Sequence, residues 1–281
     1  MLTVGLSALA CSSWSCGAKV ARDPNAPCDP TADFGEPVAI VDVAGLDGIY
    51  AVGRASLTAD ELSVYFTAAH GDPKAPLVDT YTMSRRSLSD TFSNLMRVPG
   101  LPDDALPPGP PALSRSTFHD AFISSDGLRL IAMYGPNPPG DAFRMAERAS
   151  RDEPFGPWRI AAGLEDLEHS YNLSAPEFSR DNSLLYFGAD VATEQRAWDG
   201  VRFSGRTFVT GLDGYLGISS GSNLVWYSGA SGVMRRTSVD AHFGNPSGKI
   251  NGLLAWVSPN DCRSYGFRYN TGAKLYVAER R

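Results

Sequence analysis

Three carboxylates crowd the stretch "LEDLEHSYN", where Glu165, Asp166 and Glu168 run directly into His169. Paired carboxylates cut glycosidic bonds when they face each other across a pocket and one is held protonated. Neighbours on one loop do not give that separation, so a glycosidase would need carboxylates from elsewhere in the chain. The other histidines, His70, His119 and His242, form no HxH or HExxH pair. The sequence therefore names no metal site and no cofactor. His70 and His242 fall at turn positions and read as exposed. "GISSG", from Gly217 to Gly221, has the spelling of a nucleophile elbow. That motif needs a strand-to-helix turn and a matched His and Asp, and here it lies on a corner between strands. "GNPSGK", from Gly244, is one residue short of a phosphate loop and reads as a turn.

The elements that must position these residues repeat. A polar corner followed by a short alternating strand is written five times: "LTADELSVYF" from Leu57, "ISSDGLRLIA" from Ile123, "FSRDNSLLYF" from Phe178, "ISSGSNLVWY" from Ile218 and "VSPNDCRSYG" from Val257. Asp, Asn, Ser and Gly supply the side-chain-to-backbone bonds and positive φ angles of a tight hairpin. Asp60, Asp126, Asp181 and Asp261 recur with it and are turn-formers first. In the first repeat Leu62, Val64 and Phe66 share one strand face, while Ser63 and Tyr65 take the other. A second mark follows 25 to 35 residues after each of the first four corners: Phe92, Phe155, Phe203 and Phe243. The fifth corner has no such mark before Arg281, but "FGEP" from Phe34 has no corner before it. The spacing predicts an all-β, five-bladed β-propeller of four-stranded antiparallel blades, closed by the N-terminal strand completing the C-terminal blade. Six blades is the alternative, if residues between Phe66 and Ile123 hide a degenerate one. The Pro-rich "GLPDDALPPGPPALS" there reads as an insertion loop, because Pro cannot sit inside a central strand.

Bulk properties exclude several classes. The 281 residues carry 25 basic and 31 acidic side chains, net −6, so nucleic acid is not the expected partner. Arg85-Arg86, Arg235-Arg236 and Arg280-Arg281 fall near strand ends and read as solvated rim charges. There is no apolar run long enough to cross a membrane. Residues 1–32 lack periodicity and read as a signal-peptide remnant and flexible tether, with 33–281 as one propeller domain. "MLTVGLSALAC" ends in Ala8-Leu9-Ala10-Cys11, the form of a lipoprotein cleavage box with Cys11 as the lipidation site, although no Lys or Arg precedes it. A weakly apolar N-terminus with no targeting role is the plain alternative.

The corner, a third strand ending in Arg and the Phe-Gly turn together resemble TolB-like, WD-type propeller repeats. More closely, the chain resembles predicted lipoproteins of the myxobacterial type, through Cys28-Asp29-Pro30-Thr31, Phe34-Gly35-Glu36-Pro37-Val38 and the Cys262 of the last corner. The fourth corner departs from the pattern, since "SSGSN" lacks Asp, and so does "EQRAWDGVRF" in the third repeat. The resemblance with its closure implies that Cys28 and Cys262 meet as a disulfide; two unpaired thiols are the alternative. It also implies export to the bacterial cell envelope or beyond, with membrane contact only through a lipid anchor.

Propellers bind ligands at the loops around the central channel. That rule singles out Arg54, His119, Asp120, Glu168, His169, Tyr215 and Trp256 as channel-mouth candidates. Trp198 is a candidate exposed stacking residue. The function expected is a monomeric, non-catalytic binding or scaffold module for an envelope protein or glycan. A carbohydrate-active enzyme with carboxylates converging from several blades is the alternative, and a purely structural surface protein is the third reading.

Overall fold

The computed structural model describes residues 28–29, 32–98, 117–135, 142–167, 173–189, 192–213, 220–222, 225–228, 232–238, 241, 244, 256–267 and 273–280. Nineteen strands are formed among them. In chain order they are β1 (Val38–Asp42), β2 (Ile49–Leu57), β3 (Ser63–Asp72), β4 (Ala75–Ser84), β5 (Ser93–Arg97), β6 (Thr117–Ile123), β7 (Arg129–Gly135), β8 (Ala142–Glu147), β9 (Arg159–Ile160) and β10 (Ser174–Phe178). They continue as β11 (Leu184–Ala189), β12 (Ala192–Trp198), β13 (Phe203–Asp213), β14 (Ser220–Ser222), β15 (Val225–Ser228), β16 (Gly232–Arg235), β17 (Trp256–Val257), β18 (Arg263–Phe267) and β19 (Lys274–Glu279). Successive strands pair antiparallel into a β-propeller. The first strands of the sheets face one another: β2 meets β6, β6 meets β10, and β17 meets both β2 and β14.

The expected count of five four-stranded blades is corrected. Four such blades form: β2–β5, β6–β9, β10–β13, and a last one in the order β1-β19-β18-β17. The fourth repeat instead gives a three-stranded sheet, β14–β16, among the described residues. In that repeat β14 runs as strand through Ser220–Ser222, where the other repeats turn their corner, and pairs Ser222 with Val225. "SSGSN" lacks the Asp of the other corners. The N-terminal strand does stand in the last blade, where β1 is the outermost strand, on β19, but closure of the ring by it is not shown. The contacts that carry this blade to its neighbours come from β17 and β18 at its other edge.

The working corners share one bonding scheme. Thr58, Ser124, Ser179 and Ser258 each donate a hydroxyl to the acid or amide two residues on, at 2.5–2.7 Å: Asp60, Asp126, Asp181 and Asn260. The same Oδ1 accepts the backbone N–H of Leu62, Leu128, Ser183 and Cys262. In the last corner, then, Asn260 takes the role the sequence suggests for Asp261. Asp261 (φ 60°) sits instead at the left-handed position, with Glu61 (φ 60°), Gly127 (φ 78°) and Asn182 (φ 58°). Asn tolerates that backbone, and glycine adopts it freely.

Arg86 and Arg235 are exposed, as read, but Arg85, Arg236 and Arg280 beside them, with Arg148, are locks rather than solvated charges. Arg236 is 7% and Arg280 3% exposed. Arg85 Nε donates to Glu61 O at 2.9 Å, Arg148 Nε to Gly127 O at 2.8 Å and Arg280 Nε to Asp261 O at 2.7 Å. Each guanidinium then lies 4.2–4.5 Å over the phenylalanine mark: Phe92, Phe155 and Phe34. Arg85, Arg148 and Arg236 also donate to a tyrosine hydroxyl on the second strand of the preceding blade: Tyr265, Tyr65 and Tyr186. The third blade departs from this scheme. In the second blade Ile131 stands where Tyr65 stands in the first. In the third blade Trp198 stands where Arg would be, bonding Ser183 O through its backbone N–H as Arg85 bonds Leu62 O. Trp198 packs on Phe203 at 4.6 Å, so it is a lock member rather than an exposed stacking residue. A hydrogen bond to a charged partner contributes about 1.5–3 kcal/mol. Tyr65→Phe is therefore expected to lower stability by about that amount, read from urea unfolding.

Candidate functional site

The channel is built on bulged strands. Along β2 the register with β3 jumps between Val52↔Ala68 and Ala55↔Phe66, so Gly53 and Arg54 together oppose Thr67. A Cβ on Gly53 would collide with the Thr67 hydroxyl, so the bulge needs glycine here. β6 shifts between His119 and Phe122, and β10 between Ser174 and Glu177. Three inner strands thus bulge just before their corners, a device that re-aims side chains. The result is an ion pair between Arg54 Nη2 and Glu177 Oε2 at 3.6 Å, joining the inner strands of the first and third blades. Arg54 is 8% exposed and Glu177 fully buried.

Of the channel-mouth candidates, Arg54 is buried against the Glu177 carboxylate. Trp256 is brought to β17, but it is 5% exposed and packs against Tyr265 at 6.0 Å. It is part of the wall, not an open mouth. His119 and Asp120 lie on β6, with side chains outside the described residues. Glu168, His169, Tyr215, His242 and Cys11 lie outside the described residues altogether. Glu177 was missed. Its signal was a charge directly before the corner, where the other repeats carry Ser56, Phe122, Gly217 and Trp256. Ser220 and Gly221, the end of the "GISSG" motif, run as strand rather than as a nucleophile elbow. Among the described residues no group of three His, Cys, Asp or Glu could hold a metal ion, and no helix is long and apolar enough to cross a membrane.

The acidic loop is fastened down. Glu165–Leu167 is a 3-10 turn entering the third blade. Arg196 grips Asp166 with two bonds of 2.7 Å and donates to Gly163 O at 2.7 Å. It also meets the fully buried Glu194 at 2.7 Å, which Arg206 contacts at 2.9 Å. The Arg196 bonds hold the Asp166 carboxyl below its ordinary range. The Gly163 N–H does the same for Glu165. Both shifts run opposite to that of a general acid, which needs a raised pKa. A depressed carboxylate contributes stability above its unfolded pKa and loses it as pH falls through the folded value. Below about pH 4 this turn is expected to loosen before the blades do, seen as faster amide exchange at Gly163–Leu167. Gly163 itself has φ +87°, and a Cβ there would overlap the Phe203 carbonyl. Gly163→Ala is expected to cost more than about 1 kcal/mol in thermal unfolding.

A second cluster sits on the connection from β1 to β2. The 3-10 turn Leu46–Gly48 carries Asp47 (φ 50°), whose Oδ2 accepts the Tyr81 hydroxyl at 2.8 Å and lies 3.5 Å from Arg97 Nε. The Tyr81 bond holds Asp47 below its ordinary range, and burial pushes Tyr81 up to about 12. Asp79 Oδ2 lies 2.5 Å from His70 Nε2 and 3.4 Å from Arg97 Nη1. His70 is 4% exposed, which corrects its reading as an exposed turn residue.

Cys28 and Cys262 form a disulfide across 234 residues. It ties the start of the described chain to the last corner. Phe34 bridges to Arg280 alongside it, and Arg280 donates to Ala32 O. A disulfide fits an exported chain.

No protein-family model matches the chain, and no curated protein sequence matches it. Solved structures do. A Penicillium chrysogenum α-L-arabinanase complexed with arabinobiose shares 9% identity, at a TM-score of 0.50 over 80% of this chain and 75% of that one. The catalytic domain of a Coprinopsis cinerea GH62 α-L-arabinofuranosidase shares 13%, at 0.49 over 90% and 98%. TolB from Acinetobacter baumannii shares 9%, at 0.43 over 82% and 55%. At these identities the likeness shows the fold alone, an all-β propeller.

Proposed function

We propose that the chain is an exported β-propeller acting as a non-catalytic binding module at the cell envelope, held there by a lipid on Cys11. It resembles the myxobacterial-type lipoproteins in this respect, and it works as a monomer on an envelope protein or glycan. TolB and an arabinanase share the fold, so the fold does not choose between binding and catalysis. The channel supports the choice. Glu177, a fully buried carboxylate on an inner strand, is ion-paired with the Arg54 guanidinium. That is the arrangement of an anchor, whereas glycoside cleavage needs two carboxyl groups about 5–10 Å apart across the substrate. Export and anchoring are supported by the disulfide and by the Ala8–Cys11 box. The test is detergent partition of envelope fractions from cells making the full chain. The wild-type protein is expected in the detergent phase and Cys11→Ser in the aqueous phase. Finding both in the cytosol with free thiols would overturn the reading.

A further inference from the structure

We propose that the rim of the first blade, at Tyr50, Asp47, Asp79 and Arg97, binds a ring of a neutral saccharide. The inference rests on the reading of the chain as a binding module and names the ligand class for its mouth. It starts from Tyr50. The β2–β3 register also jumps between Ile49↔His70 and Ala51↔Ala69, which leaves Tyr50 as the extra residue of a bulge. Tyr50 is 40% exposed at the head of an inner strand, three residues after Asp47 in the chain, with Leu46 46% exposed on the same connection. An exposed aromatic face beside ordered polar groups is the chemistry that takes up the apolar face of a sugar ring.

The polar groups are ordered from behind. His70 holds Asp79 and the Tyr81 hydroxyl holds Asp47, and both holders are buried. Arg97 spans the two carboxylates from a third strand. All of these contacts fall on Oδ2 of each aspartate, which leaves Oδ1 of each for a further donor. The Asp47 and Arg97 side chains stay 52% and 43% exposed. Two carboxylate acceptors with a guanidinium donor between them match a run of neighbouring hydroxyls, each of which donates and accepts. Two carboxylates disfavour an anion, and it is the alternation of acceptors and a donor, rather than net charge, that favours a polyol.

The test is calorimetric titration of the full, disulfide-bonded chain with cellohexaose, chitohexaose and arabinohexaose, repeated on Tyr50→Ala, Asp47→Asn and Arg54→Ala. The expected result is that at least one hexasaccharide binds, and that Tyr50→Ala and Asp47→Asn each weaken it about tenfold with an unchanged melting temperature. Binding lost in Arg54→Ala but kept in Tyr50→Ala would overturn the rim site and leave the binding module standing. No binding of any of the three would overturn the saccharide class, and the module reading would then rest on an envelope protein.

Discussion

Glu61→Ala is expected to destabilise the chain by about 3–5 kcal/mol, the range for breaking a buried ion pair by removing one partner. Glu61 is 3% exposed at the junction of the first and last blades. Its carboxylate accepts two bonds from Arg263, at 2.6 and 2.7 Å, and the Tyr265 hydroxyl at 2.6 Å. Arg85 stands 4.0 Å away and donates to the same tyrosine. Deleting the carboxylate leaves the Arg263 guanidinium buried without its counter-charge, and that desolvated charge is the source of the loss. The backbone gives a control. Glu61 has φ 60°, so Glu61→Gly relieves conformational strain while removing the same charge. It is expected to fall within about 1 kcal/mol of Glu61→Ala. If Glu61→Gly matched the wild type in urea unfolding, the ion network would contribute no more than the roughly 1 kcal/mol that relief of the positive φ returns, and the prediction would fail.

Reducing the Cys28–Cys262 bond is the second large effect. The chain-entropy relation for a loop of 234 residues gives about 5 kcal/mol as an upper figure. Native disulfides removed from folded domains cost about 2–5 kcal/mol. At about 2–4 °C per kcal/mol for a chain of this size, the melting midpoint is expected to fall by roughly 4–20 °C in reductant. Cys28→Ser/Cys262→Ser should reproduce the fall without reductant. An unchanged midpoint, with reduction verified by mass, would mean that Phe34, β1 and Arg280 hold the seam unaided.

Much of this fold is legible because corner chemistry is local. A Ser or Thr with Asp or Asn two residues on is all that the turn needs, and both are printed in the sequence. The same rule marks the corner that departs from the pattern: "SSGSN" lacks the acceptor, and Ser220–Ser222 runs as strand. What the corners do not report is register. Gly53 inside a strand was the available hint of the bulge that turns Arg54 into the channel. The bulge at Tyr50 carries no such mark, since it depends on which residue of β3 lies opposite. The arginine locks were visible as a repeated basic end and misread as solvated, because their burial comes from a tyrosine in the preceding blade. Ile131 and Trp198 were a partial hint of that coupling, since a repeat without the tyrosine precedes the one without the arginine, although Trp226 also stands at the tyrosine position and Arg280 follows it. Glu165 and Asp166 were visible as acids, but Arg196, which fastens Asp166, sits 30 residues away on β12.

The most direct measurement of the central claim is a long incubation of the full, disulfide-bonded chain with arabinohexaose, cellohexaose and chitohexaose, followed by chromatography of the sugars. Recovery of every hexasaccharide at its original length, from the wild type and from Glu177→Gln alike, is the result predicted for a binding module. Shorter products from the wild type that vanish in Glu177→Gln would show that Glu177 does chemistry in the channel, and the chain would be an enzyme.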